Sequence, residues 1–233
     1  MKSPQKTARM AGLLYLILAP LGIMGLIYVS ATMVVDGDAA ATINNILANE
    51  SMYRLSIFAA LITQVVNVFV VLFLYKVLQP VNKNIAALMV IFILLGAPIA
   101  MLSEAFRYAV LLLVDHAETV TSLSGVQLET AVSVSLDLYE TGIMIATIFW
   151  GLWLFPMGYL VFKSGYIPKL IGILLMIGCF GYLADVVVFF FFPESGLAIS
   201  QYTFIGEILL PLWLLIKGVN VERLEQWTIK PAF

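Results

Sequence analysis

The chain has 233 residues, of which 62% are hydrophobic and 11% are charged, and its formal net charge is -2. In soluble domains about a quarter of the residues are charged, so this composition excludes an ordinary soluble protein and predicts an integral membrane protein. No polar stretch is long enough to form a separate extramembrane domain. We therefore predict a single all-α transmembrane domain over residues 1–233.

Long apolar runs alternate with short polar links and predict a six-transmembrane-helix bundle. A helix needs about 20 apolar residues to cross a bilayer. The predicted spans cover residues 10–35, 53–78, 85–113, 130–162, 167–192 and 199–217. The first run begins like a signal peptide, but it exceeds the usual apolar core of about 7 to 15 residues. We therefore expect an uncleaved first helix with a kink at Pro20.

A polar link follows the first span and carries a helix-start signal. Asp38 occupies a typical N-cap position, and Ile43, Ile46 and Leu47 follow at helical spacing. We expect a short interfacial helix in this outer loop.

Lysines and arginines are concentrated on one side of the six-helix arrangement. All twelve except Arg54 and Arg107 lie on the side of the two termini. By the positive-inside rule, that side is the cytoplasm. Both termini, and the basic turn of residues 163–169, are therefore expected to be cytoplasmic.

Six ionisable residues inside the spans or at their outer ends are candidate ligand-binding residues. They are Glu104, Arg107, Asp137, Glu140, Asp185 and Glu207. A charge at the centre of a membrane helix costs at least about 2.5 to 3.5 kcal/mol, so each side chain should face the bundle or a water-filled cavity. Glu104 and Arg107 are three residues apart and share a helix face, and the same holds for Asp137 and Glu140. One arginine cannot neutralise five acids.

Several interpretations of this set stay open. The six residues could form an arginine–carboxylate network that fixes helix packing, with Asp137 and Glu140 in outer water. They could instead bind or pass a small ligand, cation or proton through an outward-facing polar pocket, using Glu207 and Asp185 with Arg107 as counter-ion. Pro211 has no N–H to donate to the Glu207 carbonyl four residues earlier, which favours the second interpretation. A structural or partner subunit without a pocket is the third.

Enzymatic templates fit the sequence poorly. With one histidine, His116, and one cysteine, Cys179, the chain lacks the residue sets of zinc hydrolases, bis-histidine haem sites and Cys–His nucleophiles. A membrane-embedded enzyme with paired carboxylates is the alternative. We predict no metal and no cofactor. Since no nucleotide or nucleic-acid-binding pattern occurs, the expected partners are the lipid bilayer and a small ligand or cation.

Four stretches carry a family resemblance: ARMAGLLYLI, GDAAATINNILANE, FWGLWLFPMGYLVFKSGYIPKLIGILLMIG with GYLAD after it, and GEILLPLWLLIKGV. Together they resemble a bacterial family of small multi-pass membrane proteins catalogued as a domain of unknown function. The turn KSGYIPK matches the basic Ser-Gly-aromatic-Ile-Pro pattern of that family. The resemblance implies about six helices in the bacterial cytoplasmic membrane, and it assigns no activity. Asp185 and Glu207 lie within the matching stretches, whereas Arg107 lies outside them.

Overall fold

The structure is a computed structural model that describes residues 4–119 and 125–229, without the side chains of residues 116–119, 228 and 229. Within these residues the chain forms helices and no strands. The α-helices are α1 Pro4–Gly22, α2 Tyr28–Thr32, α3 Ala39–Ala48, α4 Glu50–Leu78, α5 Lys83–Thr119, α6 Gly125–Leu152, α7 Leu154–Ser164, α8 Lys169–Phe191, α9 Ser200–Thr203, α10 Ile205–Ile216 and α11 Val221–Ile229.

Five helical stretches of the described chain are long and apolar enough to cross a membrane. They are Pro4–Thr32, Glu50–Leu78, Lys83–Asp115, Gly125–Ser164 and Lys169–Phe191. A sixth is added when Ser200–Ile216 and Val221–Trp227, which meet at a bend of 105°, are counted together. A helix pairs its backbone N–H and C=O groups internally, and this is needed because lipid tails offer them no hydrogen-bond partners. The protein is an all-α, multi-pass membrane bundle, as the sequence predicts.

The chain divides into two compact units, each assembled from separated segments. Unit 1 comprises Met1–Ile17, Val66–Ala97 and Met144–Phe233, and unit 2 comprises Leu18–Val65 and Pro98–Ile143. The single domain over residues 1–233 stays a prediction.

The first span contains a π-helical segment in unit 2 that the sequence did not predict. α1 continues past Pro20 to Gly22, and the turn widens over Ile23–Ile27 before α2 begins. Gly25 lies in this segment, where a Cβ atom would lie 2.6 Å from the backbone nitrogen of Ala60 on α4. The absence of a side chain therefore lets the two backbones come together. Short π-helical insertions are frequent at functional sites.

The predicted outer-loop helix is α3 in unit 2. The Asp38 side chain accepts a hydrogen bond from the Ala41 N–H at 2.8 Å, which confirms the N-cap. Ile43 and Ile46 are buried, whereas Leu47 is 43% exposed. The two isoleucines belong to an apolar cluster that also contains Val29, Met33, Tyr53, Ile57, Val110, Leu111, Val114 and Val132.

In unit 1, α7 and α8 pack closely because glycines lie at their contact. A Cβ atom on Gly158 would lie 2.5 Å from the carbonyl oxygen of Gly172. Small residues allow such close approach between membrane helices. The turn between the two helices begins at Gly165, whose φ of 70° is left-handed and suits glycine as a helix C-cap.

Two long-range contacts fix the ends of the helices in unit 1. Gln5 donates through Nε2 to the Lys217 carbonyl at 2.9 Å and accepts the Val219 N–H at 3.0 Å, which places the start of α1 beside the end of α10. The Tyr166 hydroxyl donates to the Val77 carbonyl at 2.7 Å. Burial raises the pKa of Tyr166, so the hydroxyl keeps the proton that this bond requires.

Candidate functional site

Arg107 is the centre of a buried polar cluster in unit 2, called here the arginine site: Arg107, Glu104, Ser56 and the Gly25 carbonyl. The arginine lies on α5 and is 1% exposed. Its Nη1 donates to Glu104 Oε2 at 3.1 Å and to the Gly25 carbonyl oxygen at 2.8 Å, and its Nη2 donates to Ser56 Oγ. The three acceptors come from three spans, so the guanidinium joins these spans within the unit.

Two tyrosines complete the surroundings of Arg107. The guanidinium carbon lies 5.2 Å from the ring centroid of Tyr53 and 5.1 Å from that of Tyr139. Aromatic faces attract a cation at such distances. The Tyr53 hydroxyl also donates to the Arg107 carbonyl at 3.0 Å. The charge is therefore balanced by one carboxylate, two neutral acceptors and two rings.

Local sequence explains how each acceptor reaches the arginine. Glu104 and Arg107 share a face of α5 because they are three residues apart. The hydroxyl of Ser56 donates to the Tyr53 carbonyl at 2.6 Å, which leaves its lone pairs free to accept from the guanidinium. Among the described residues, Glu104 Oε1 and Arg107 Nε have no hydrogen-bond partner.

A second carboxyl group lies in unit 1 and has different neighbours, called here the glutamate site: Glu207, Tyr15, Tyr182 and Trp153. Glu207 Oε2 accepts a hydrogen bond from the Tyr15 hydroxyl at 3.2 Å. Tyr182 is near enough to interact electrostatically with the same carboxyl group. The rings of Tyr15 and Trp153 are in contact, with centroids 5.7 Å apart.

Glu207 differs from Glu104 in having no cation beside it among the described residues. Its Oε1 is buried and has no hydrogen-bond partner among the described residues. Glu104 pairs with Arg107, whereas Glu207 forms no ion pair with a described residue. Glu207 is part-buried, and the neighbours that the structure gives its carboxyl group are neutral tyrosines.

A close helix contact in unit 1 brings Tyr15 to Glu207. Gly12 packs against α10, where a Cβ atom would lie 2.7 Å from the Pro211 carbonyl oxygen. Tyr15 lies about one turn after Gly12, and Glu207 lies about one turn before Pro211. The contact therefore brings the hydroxyl and the carboxyl group to the same level.

The three remaining candidate acids have other surroundings. Asp185 accepts the N–H groups of Ile199 and Ser200, the latter at 3.1 Å through Oδ2, so it caps the start of α9. Asp137 and Glu140 are exposed on α6 in unit 2. The structure therefore pairs Glu104 with Arg107 and gives Asp185 a capping contact. The His116 side chain lies outside the described residues.

Comparison with known proteins places the chain in a family. The profile of the family described as "Domain of unknown function (DUF4386)" matches residues 10–218. The chain belongs to the DUF4386 family. A relative from Archaeoglobus fulgidus, described as "Uncharacterized protein", is 36% identical over 161 residues, which cover 68% of this chain and 81% of the relative. No solved structure matches the chain.

Three cavities of this DUF4386 domain are lined by residues other than Arg107 and Glu207. One of about 540 Å³ is apolar and lies in unit 1 beside Phe155 and Phe180. One of about 560 Å³ lies in unit 2 beside Gln127 and Thr130. The third, of about 410 Å³, lies at the basic turn. Among the described residues, no group of three or more His, Cys, Asp or Glu side chains is arranged to hold a metal ion.

Sequence reasoning missed the tyrosines and the serine that surround the charged groups of both sites in this DUF4386 chain. They are Tyr15, Tyr53, Ser56, Tyr139 and Tyr182. Tyrosine and serine are ordinary in membrane spans, so charge counting does not reveal them. The position of Tyr139 between two acids, and of Tyr182 in the stretch GYLAD, are the signals that could have drawn attention to them.

Proposed function

We propose that this DUF4386 protein binds and releases a proton at Glu207, inside the membrane. The observation that supports this is the neutral surroundings of the carboxyl group: Tyr15 donates to Oε2, and Oε1 is buried without a partner among the described residues. An ionised carboxylate in an apolar interior needs a counter-ion. Binding of a proton neutralises the carboxylate, so that no other counter-ion is needed.

The chemistry of the neighbours supports a proton more than a larger ligand. A tyrosine hydroxyl both donates and accepts hydrogen bonds, so Tyr15 can stay bonded to Glu207 in both protonation states. A proton also needs no cavity, and the cavities of about 410, 540 and 560 Å³ are lined by other residues. In this proposal Asp185 has a positioning role, because it caps the helical turn that leads into α10.

The test is infrared difference spectroscopy on the full-length protein in lipid nanodiscs, between acidic and alkaline pH. A protonated carboxylic acid gives a C=O band that a carboxylate lacks. We expect a reversible band that is absent in Glu207→Gln and shifted in Tyr15→Phe, because the tyrosine bond is lost. Glu222→Gln removes an exposed acid on α11 and should leave the band unchanged. A spectrum without any band that depends on Glu207 would exclude the proposal.

A small organic cation is the second candidate, favoured by the aromatic rings beside the carboxyl group. Tyr15 donates to Glu207, and its ring packs against Trp153. Aromatic faces together with a carboxylate attract ammonium groups. Stabilisation of the wild-type protein by tetramethylammonium, lost in Glu207→Gln and in Trp153→Leu, would favour this candidate over the proton.

We further propose that the protein lies in the cytoplasmic membrane with both termini in the cytoplasm. The distribution of lysine and arginine supports this orientation, and the contact between Gln5 and Lys217 agrees with it. A green fluorescent protein fused to the C-terminus should fluoresce, whereas alkaline phosphatase at the same position should be inactive. The reverse pattern would overturn the orientation.

A further inference from the structure

The basic turn between α7 and α8 forms one wall of a cavity of about 410 Å³ in unit 1, called here the basic-turn cavity. The chain bends by 105° after α10, and α11 folds back towards the turn. Arg223 Nη1 donates to the Gly165 carbonyl at 2.8 Å, and Trp227 Nε1 donates to the Ser164 carbonyl at 2.9 Å. The lining residues are Gly165, Tyr166, Ile167, Pro168, Lys169, Trp213, Asn220 and Arg223.

The charges on this lining have one sign. Lys169 and Arg223 contribute two positive charges, and none of the described residues that line the cavity is acidic. Lys169 Nζ lies 5.5 Å from the ring centroid of Phe162, which holds the ammonium group near the turn. A guanidinium has five N–H donors, and the bond to Gly165 occupies one nitrogen of Arg223. Both cations can therefore contact an anion.

Two further features of the lining provide hydrogen-bond donors. α8 begins after Pro168 with no side-chain cap. The Ile171 N–H donates to the Pro168 carbonyl at 3.1 Å, and the N–H groups of the first turn carry the partial positive charge of a helix start. The indole Nε1 of Trp213 is buried and has no acceptor among the described residues. Backbone N–H groups at a helix start, together with lysine and arginine, are typical phosphate ligands.

The surroundings of the cavity indicate where the phosphate would come from. Leu170, next to Lys169, is 63% exposed, and Ile216 at the end of α10 is 65% exposed. Leu170 lies at the start of the candidate span Lys169–Phe191, and Ile216 ends the stretch that counts as a span together with Val221–Trp227. Exposed apolar side chains at this level would face acyl chains, while the cations would face headgroups.

We propose that the basic-turn cavity binds the phosphate headgroup of an anionic phospholipid. Lys169 and Arg223 contact the phosphate, and the first turn of α8 donates backbone hydrogen bonds to it. Leu170 and Ile216 lie along the acyl chains. This site is separate from Glu207 and does not depend on the function proposed for that residue.

The experiment is native mass spectrometry of the full-length protein, released from detergent with added phosphatidylglycerol or phosphatidylcholine. We expect preferential retention of phosphatidylglycerol, and a loss of about tenfold in its apparent affinity in Lys169→Gln/Arg223→Gln, because two charge-assisted contacts are lost. The matched control is Lys76→Gln/Lys83→Gln, which removes two exposed cations outside the cavity. The control should change the affinity by at most about twofold.

Further arms separate headgroup binding from folding and from soluble phosphate. Lys169→Arg/Arg223→Lys keeps both charges and should retain the lipid, even though the bond to Gly165 is altered. Equal losses in the cavity variant and in the control, or no loss in either, would overturn the proposal. Stabilisation by glycerol 3-phosphate without retention of phosphatidylglycerol would overturn the lipid assignment in favour of a soluble phosphate compound.

Discussion

The arginine site and the glutamate site each hold a carboxyl group, but the neighbours of the two groups differ. In unit 2, Glu104 has a built-in counter-ion, and Arg107 is itself held by Ser56 and the Gly25 carbonyl. In unit 1, Glu207 has a tyrosine donor and no cation among the described residues. A carboxylate whose charge is already balanced stabilises packing, whereas one that lacks a counter-ion is available for a proton. We therefore expect the arginine site to stabilise the fold and the glutamate site to bind and release a proton.

The largest expected loss of stability follows from removing the cation of the arginine site. Arg107→Met leaves Glu104 buried without its counter-ion, and removal of one partner of a buried pair costs about 3 to 5 kcal/mol. Chemical unfolding in bicelles measures this loss. Arg54→Met removes an exposed ion pair, in which both side chains are 42% exposed, and should leave the unfolding curve unchanged.

A double-mutant cycle sharpens this prediction. Glu104→Met/Arg107→Met should be more stable than Arg107→Met alone, because the uncompensated charge is also removed. Additive losses from the two single variants would show that the pair is not coupled, and the contrast between the two sites would fail.

An intermediate effect is expected from the π-helical segment that supplies the Gly25 carbonyl. Gly25→Ala places a methyl group against the Ala60 backbone and should cost about 1 to 3 kcal/mol in unfolding free energy. Gly22→Ala is the matched control, since a Cβ atom at Gly22 meets nothing within 4 Å. Equal stability of the two variants would mean that the close approach does not constrain the arginine site.

The smallest expected effect on stability is at the glutamate site. Glu207→Gln keeps an oxygen that can accept from Tyr15, so the unfolding free energy should change by at most about 1 kcal/mol. The same unfolding experiment measures it, beside the infrared band that the variant should remove. A loss as large as that of Arg107→Met would make Glu207 a packing residue and remove the distinction between the two sites.

Particular residues show how much of this could be predicted from the sequence. Membrane class and the helical spans followed from apolar runs, and the Asp38 cap followed from a polar residue placed before apolar residues at helical spacing. The i, i+3 spacing placed Glu104 and Arg107 on one helix face. The same reasoning predicted that Asp185 binds a ligand. In the structure its carboxylate accepts hydrogen bonds from two backbone N–H groups at the start of α9. Local spacing does not show which distant backbone group will arrive beside a side chain.

The sequence by itself determined that this protein lies in a membrane and where its helices run along the chain. Membrane insertion depends on the transfer free energies of the side chains, and helix formation depends on contacts between near neighbours. Only the tertiary structure decided which carboxyl group receives a cation. The Gly25 carbonyl that holds Arg107 is 82 residues away in the chain, and the Tyr15 hydroxyl that holds Glu207 is 192 residues away. Such partners are set by the close approach of helix backbones at glycines, which no local pattern records.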